Sequence, residues 1–181
     1  DHDAALLSQA IAAAERVDER QVVLGDVLPG LGRHLATRGG EFVYSEPGYT
    51  GLVDAARPLG GVPVAVPLGV NHGNDLASLA AHVGLNTRAV FLVNPHNPTG
   101  VADSDKALRD FAATVAARTL LIVDEAYIEY LPDAARRSLV DLVRAGANIV
   151  VIRTFSKIHG LAGISLEYAI APSALADALR A

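Results

Sequence analysis

Asn148-Ile149-Val150-Val151-Ile152-Arg153-Thr154-Phe155-Ser156-Lys157 is the stretch on which the reading of this 181-residue chain turns. Residues 149–152 are β-branched and apolar without alternation, the pattern of a strand buried on both faces. The strand delivers one of only two lysines in the chain to its exit, ahead of the small-residue turn Gly160-Leu161-Ala162-Gly163. A charged ammonium at the end of a buried strand is costly without a reason. Desolvation disfavours the charged form, so a lysine held there can shed its proton and attack a carbonyl. A surface lysine on a loop after the strand is the alternative, and this stretch alone does not choose between them.

Outward from this stretch the same grammar repeats. Residues 41–45, 62–68, 89–93, 119–123 and 167–171 read as further strands, and 21–24 as a short apolar segment. Pro63 and Pro67 suggest that 62–68 is an edge strand or a short one, because proline cannot donate to a ladder. Helices are expected over 4–17, 49–57, 75–83, 103–117 and 138–144, and from Ser173 onward. Another starts at Gly25-Asp26, where Asp26 can cap it and Pro29 is tolerated in the first turn; Gly39-Gly40 ends it. Helices that separate nearly continuous apolar strands predict an α/β fold, a three-layer sandwich around a mostly parallel sheet.

Composition narrows the function. Half the residues are hydrophobic and net charge is −5 without a basic stripe, so a folded chain with no nucleic-acid or membrane partner is expected. Without cysteine there is no disulfide, thiolate metal site or cysteine nucleophile. The six histidines show no tight metal spacing and read as structural or surface residues, with His159 the exception to watch; no metal is expected. Asp103, Asp105 and Lys106 read as a solvated helix start. The acidic N-terminus is unlike a signal peptide, and cytoplasm is the default compartment.

In a sheet of this kind ligands bind beyond the carboxyl ends of the strands. Three polar clusters fall there: Asn94-Pro95-His96-Asn97-Pro98-Thr99-Gly100, Asp124-Glu125-Ala126-Tyr127, and Thr154 to Lys157. The helix start at Gly25-Asp26 is a fourth candidate, an anion site made of free N–H groups. A strand-end lysine, a strand-end acid and an anion site together suit pyridoxal 5'-phosphate. Lys157 is the candidate imine lysine and Asp124 the acid opposite the ring nitrogen. Asn97 and Tyr127 are candidate donors to the ring oxygen, and Tyr49 can stack on the ring. Other readings stand beside these. Asn97 in a proline-rich turn can be turn chemistry, and the tyrosines can be half-buried packing. Asp124-Glu125 after an apolar strand also suits the metal side of a P-loop ATPase, but the chain has no phosphate loop of that kind.

The three clusters, with Asp124-Glu125-Ala126-Tyr127-Ile128-Glu129-Tyr130 and Glu46-Pro47-Gly48-Tyr49, resemble a class I/II aminotransferase of fold type I, in particular the histidinol-phosphate aminotransferase group. The resemblance runs from about residue 4 to the end and implies a transaminase acting on an amino donor and a 2-oxo acid. It implies Lys157 as imine lysine and proton shuttle, Asp124 on the pyridine nitrogen, Asn97 and Tyr127 on the ring oxygen, and Thr154 with the Gly25-Asp26 helix start at the phosphate. A homodimer is implied as well. Family members are about twice as long, so residues 1–181 are expected to be the cofactor-binding large domain, without the C-terminal small domain. Two departures stand out. The family usually has arginine eight residues after the lysine, where this chain has Ser165, and glycine where it has Glu167. Serine offers one neutral hydrogen bond in place of a permanent bidentate cation, unless His159 or a neighbouring chain substitutes. A decarboxylase or lyase on the same scaffold, and a degenerate domain that binds cofactor weakly, are the two alternatives.

Overall fold

The apolar runs at 89–93, 119–123 and 149–152 are buried on both faces in the computed structural model, which describes residues 2–180. In chain order the elements are α1 (His2–Glu15), β1 (Val22–Leu24), α2 (Val27–Ala36), β2 (Gly40–Glu46), α3 (Gly51–Ala56), β3 (Gly61–Pro67), α4 (Leu76–Ala81), β4 (Thr87–Val93), α5 (Asp105–Ala116), β5 (Leu120–Asp124), α6 (Ala134–Arg137), α7 (Val140–Arg144), β6 (Ile149–Thr154), β7 (Glu167–Ile170) and α8 (Ser173–Arg180). Among the described residues the strands form one seven-stranded sheet in the order β1-β7-β6-β5-β4-β2-β3. From β3 to β6 every pairing is parallel. The proline-bearing strand β3 is an edge, as its lost donors require.

The far end of the sheet departs from that pattern. β7 runs antiparallel to both β6 and β1. The chain leaves β6 and returns through residues 155–166 without a helix, and a parallel return needs a longer crossover.

Alternate residues of the central strands feed two cores. Val43, Val90, Leu92, Leu121, Val123 and Val151 face one side with residues of α1, α4, α5 and α7. Phe42, Tyr44, Phe91, Ile122, Val150 and Ile152 face the other with residues of α2, α3 and α8. Burying each such side chain contributes roughly 1.5–3 kcal/mol, which is why these runs cannot serve as surface strands.

Helix starts are partly as expected. Ser104 caps α5 by accepting from the Ala107 N–H at 3.3 Å, and Asp75 caps α4 by accepting from Ser78 at 2.9 Å. Asp26 precedes α2, but its side chain makes no capping hydrogen bond. Helix α2 also packs unusually close to α3. A Cβ on Gly32 would lie 2.7 Å from both the Ala55 Cβ and the Leu52 carbonyl oxygen. Backbone cannot yield as a side-chain tip does, so Gly32→Ala is expected to destabilise the fold by about 1–3 kcal/mol. A urea melt indistinguishable from wild type would show that the two helices can separate freely.

Candidate functional site

The parallel register brings the carboxyl ends of β4, β5 and β6 side by side: Val93 pairs with Asp124, and Asp124 with Ile152. Antiparallel β7 begins at the same edge, with Glu167 paired to Thr154. A cleft of about 180 Å³ opens there. Tyr49, Asn97, Asp124, Tyr127, Thr154 and Lys157 all line it, although they come from four separate parts of the chain. Gly25 and Asp26 do not; the first turn of α2 reaches the cleft through Leu28, and Asp26 is exposed.

Asp124 is 5% exposed. One carboxylate oxygen, Oδ1, accepts from the Ala126 N–H at 2.9 Å, which orients the group at the end of β5. Burial pushes the carboxyl from its usual 3.8 up to about 7; Glu167 and Glu125 add to the shift, while the Ala126 N–H and Lys157 oppose it. Lys157 is placed differently from the expectation. It lies three residues beyond β6, in a turn, and is exposed at the cleft mouth with Nζ 5.6 Å from the Tyr127 ring centre. The strand ends too early to bury it, so this chain does not by itself supply the expected desolvation. Tyr49 also stays partly open, its ring tilted against Phe91 at 6.5 Å.

Two polar networks hold these groups, and the sequence reading missed both. The first anchors the loop that carries Asn97. Asn74 accepts from the Ser45 hydroxyl at 2.7 Å and donates to the Val93 carbonyl and to Asp103, at 3.1 and 3.0 Å. The Asp103 N–H donates to Asn94 Oδ1 at 2.9 Å. Asp103 is therefore no solvated helix start: burial pushes its carboxyl up, against the hydrogen bond from Asn74.

The second network lies under the strand ends. Arg153 Nε donates to Glu125 Oε2 at 3.0 Å, with side chains only 9% and 1% exposed. Arg153 Nη1 also reaches Glu15 and Glu129 at 3.4 and 3.3 Å. The Ser138 hydroxyl and the Leu139 N–H each donate to Glu125 at 2.8 Å. Burial works against an ionised Glu125, and the Arg153 guanidinium and these donors work for it. The local sign was present, since Glu125 and Arg153 each sit at the end of an apolar run. Their pairing needs the strand register, which local sequence does not show.

At the other end of the cleft, Thr154 is already engaged. Its hydroxyl donates to the Leu166 carbonyl at 3.2 Å and accepts from the Ser156 N–H at 3.1 Å. Ser165 and Glu167 line the cleft beside it. His159 does not stand in for an arginine there: it is exposed, outside the cleft lining, and packs on Phe155 at 5.6 Å. Among the described residues no group of three or more His, Asp or Glu is placed to hold a metal ion.

This arrangement can be set against known proteins. The sequence model of the family described as aminotransferase class I and II matches residues 25–181. The chain belongs to that family. Among its aminotransferase relatives, histidinol-phosphate aminotransferase 1 of Idiomarina loihiensis is 36% identical over 177 residues, 96% of this chain and 48% of the relative. An aromatic amino acid aminotransferase of Mycobacterium tuberculosis is 42% identical over 135 residues, 75% of this chain and 38% of the relative. The crystal structure of histidinol-phosphate aminotransferase from Sinorhizobium meliloti in complex with pyridoxal-5'-phosphate superposes with a TM-score of 0.84. Identity there is 30%, over 99% of this chain and 49% of the other. The chain thus spans about half the length of the aminotransferases it matches. Among the described residues no helix is long and apolar enough to cross a membrane.

The buried acid of this aminotransferase-family chain has a consequence for stability. A carboxyl that ionises less readily when folded costs stability as pH rises from its unfolded value, near 4, to its folded value of about 7. The cost is absent below that window and complete above it. Asp124→Asn is expected to stabilise the chain at pH 8 by at most about 4 kcal/mol, and to leave it unchanged near pH 3.5. Urea melts at the two pH values check this, and an equal shift at both would assign the effect to packing instead.

Proposed function

We propose that this chain is the large, cofactor-holding domain of a pyridoxal 5'-phosphate-dependent aminotransferase, moving an amino group between a small-molecule amino donor and a 2-oxo acid. One observation carries the reading: an exposed lysine, a buried acid, an amide, a tyrosine hydroxyl and an aromatic face converge on one cleft at the strand ends. They fit the ring end of the cofactor in kind and number. When bound, the cofactor supplies a conjugated ring that takes up the electron pair released as the donor's α-C–H bond breaks.

The remaining chemistry belongs to the chain. Lys157 would offer the amine that holds the cofactor's aldehyde and the base that carries the donor's α-proton. Its exposure at the cleft mouth leaves Nζ free to move between those tasks. Asp124, buried and held by the Ala126 N–H, can share a proton with a ring nitrogen. Asn97 and Tyr127 supply donors for the ring oxygen, and Tyr49 an aromatic face. The anchoring of Asn94 by Asp103, and of β6 by Glu125, keeps these groups on rigid strand ends.

A cytoplasmic homodimer completes the reading. Ile158, Leu161 and Ile164 are exposed in the turn that follows Lys157, an apolar run that suits cover by a second chain. Light scattering on the purified protein reads the oligomeric state directly.

Borohydride trapping tests the cofactor site. The full-length protein is incubated with pyridoxal phosphate, reduced, digested and mapped by mass spectrometry. Within this chain Lys106 is the other lysine, held by Asp110 at 2.6 Å on α5, so label is expected at Lys157. Absence of label, or equal label at Lys106, would remove the reading.

A further inference from the structure

His96 stands in the loop that carries Asn97, and the cofactor reading gives it no task. It is 2% exposed. Its backbone is tied on both sides: the N–H donates to the Val101 carbonyl at 2.8 Å, and the carbonyl oxygen accepts from the Gly100 N–H at 2.7 Å. Its ring makes one hydrogen bond, between Nδ1 and the Thr99 hydroxyl at 2.9 Å.

The direction of that bond follows from its neighbour. Thr99 has a single hydroxyl hydrogen and donates it to the His72 carbonyl at 2.9 Å, which can only accept. Toward His96 the hydroxyl is therefore an acceptor, and Nδ1 carries the ring proton. Burial disfavours the doubly protonated ring. Nε2 is thus left as a bare acceptor, buried without a partner among the described residues. A buried acceptor without a donor costs stability that an apolar ring would not, so a histidine here needs a reason other than packing.

The far edge of the ring supplies one. A Cβ on Gly48 would lie 3.1 Å from Nε2 and 2.6 Å from the Ser45 carbonyl oxygen, so the loop after β2 closes on the ring only because residue 48 has no side chain. Tyr49 follows Gly48 and Asn97 follows His96; both line the cleft, and His96 does not. One imidazole thus joins three loops at the strand ends. Its own is the loop after β4, its Nε2 edge meets the loop after β2, and Thr99 ties it to His72 in the loop after β3.

We propose that His96 is a positioning residue that sets the Tyr49 aromatic face and the Asn97 donor at a fixed spacing across the cleft. This rests on the cofactor reading above. The Nδ1 edge locks the turn that presents Asn97, and the Nε2 edge seats the backbone that presents Tyr49.

Two amide variants separate the edges. Asparagine reaches only as far as Nδ1 and can still donate to Thr99. Glutamine reaches to Nε2 and can still meet Gly48, but it leaves Thr99 without its donor. Equilibrium dialysis measures Kd for pyridoxal phosphate in full-length His96→Asn and His96→Gln, each also in a Tyr49→Ala and an Asn97→Ala background, beside urea melts. His96→Asn is expected to weaken binding about tenfold, but less than about twofold once Tyr49 is alanine, because the lost contact acts through that residue. His96→Gln is expected to weaken binding by a similar factor, with the loss vanishing in the Asn97→Ala background instead. A histidine that served the fold alone would give the same factor in every background. That outcome, or wild-type affinity in folded variants, overturns the proposal. If one variant unfolds, the other decides alone; failure of both to fold assigns His96 to stability and overturns the proposal as well. Absence of borohydride label at Lys157 in wild type overturns the cofactor reading instead, and the positioning role with it.

Discussion

Replacing Lys157 by alanine is expected to abolish cofactor trapping at this site and to lower transamination in the full-length protein by at least about a thousandfold. On the proposed function the loss combines two roles of one amine, covalent attachment and proton transfer, and the second alone is typically worth about 10²–10⁴ in rate. Lys157→Arg separates charge from nucleophilicity. Arginine keeps the positive charge near Tyr127 but stays protonated at any working pH, so it can neither bond to an aldehyde carbon nor accept the α-proton. Both variants are therefore expected to be inactive, and equally stable, because the side chain is exposed and packs against little. Single-turnover assays with an amino donor, beside thermal melts, check both halves. Substantial turnover in Lys157→Arg would mean that the site needs only a cation there and that the covalent role is wrong.

Arg153→Met is expected to cost the folded chain about 3–5 kcal/mol, because it strands the Glu125 carboxylate with 1% exposure and no cation. For a chain of this size that is a fall in Tm of roughly 6–20 °C. The effect should be conditional. Glu125→Gln keeps an acceptor for the Leu139 N–H and the Ser138 hydroxyl while removing the charge. Combined with Arg153→Met it should recover much of the loss, since neutral groups of similar shape avoid the desolvation of two ions. Urea melts of the two single variants and the double measure the coupling. Additive losses would show that Arg153 acts through Glu15 and Glu129, or through packing, and not through Glu125. Function is exposed to the same change, because Arg153 and Glu125 neighbour Thr154 and Asp124 in the chain. Loosening the pair loosens the strand end that carries Asp124 and the one that leads into the Lys157 turn.

Much of this was readable in one dimension. Unalternating apolar runs at 89–93, 119–123 and 149–152 can be satisfied only by strands covered on both faces, and covering both faces forces three layers. Two prolines in 62–68 pointed to an edge strand or a short one, and the sheet order makes it an edge. Residue types at strand exits were enough to nominate Asn97, Asp124 and Lys157 for one site, because parallel strands deliver their carboxyl ends to a common side.

What local sequence could not carry is anything set by register or by the path of a connection. The exposed position of Lys157 depends on where β6 stops pairing, and the antiparallel turn of β7 depends on a helix that residues 155–166 do not form. The joining of Arg153 to Glu125 and Glu15 spans as many as 138 residues of sequence separation. Glu167 shows the division most clearly. Its identity was plain in the chain, but only the ladder shows that it sits between Thr154 and Gly25 and lines the cleft. Sequence by itself determined the layers, the strand-end site and the residue types within it, because burial and backbone hydrogen bonding act on short patterns. Tertiary structure alone decided which charges meet and which stay open to water, because electrostatic energy depends on distance and desolvation, and neither is a property of sequence position.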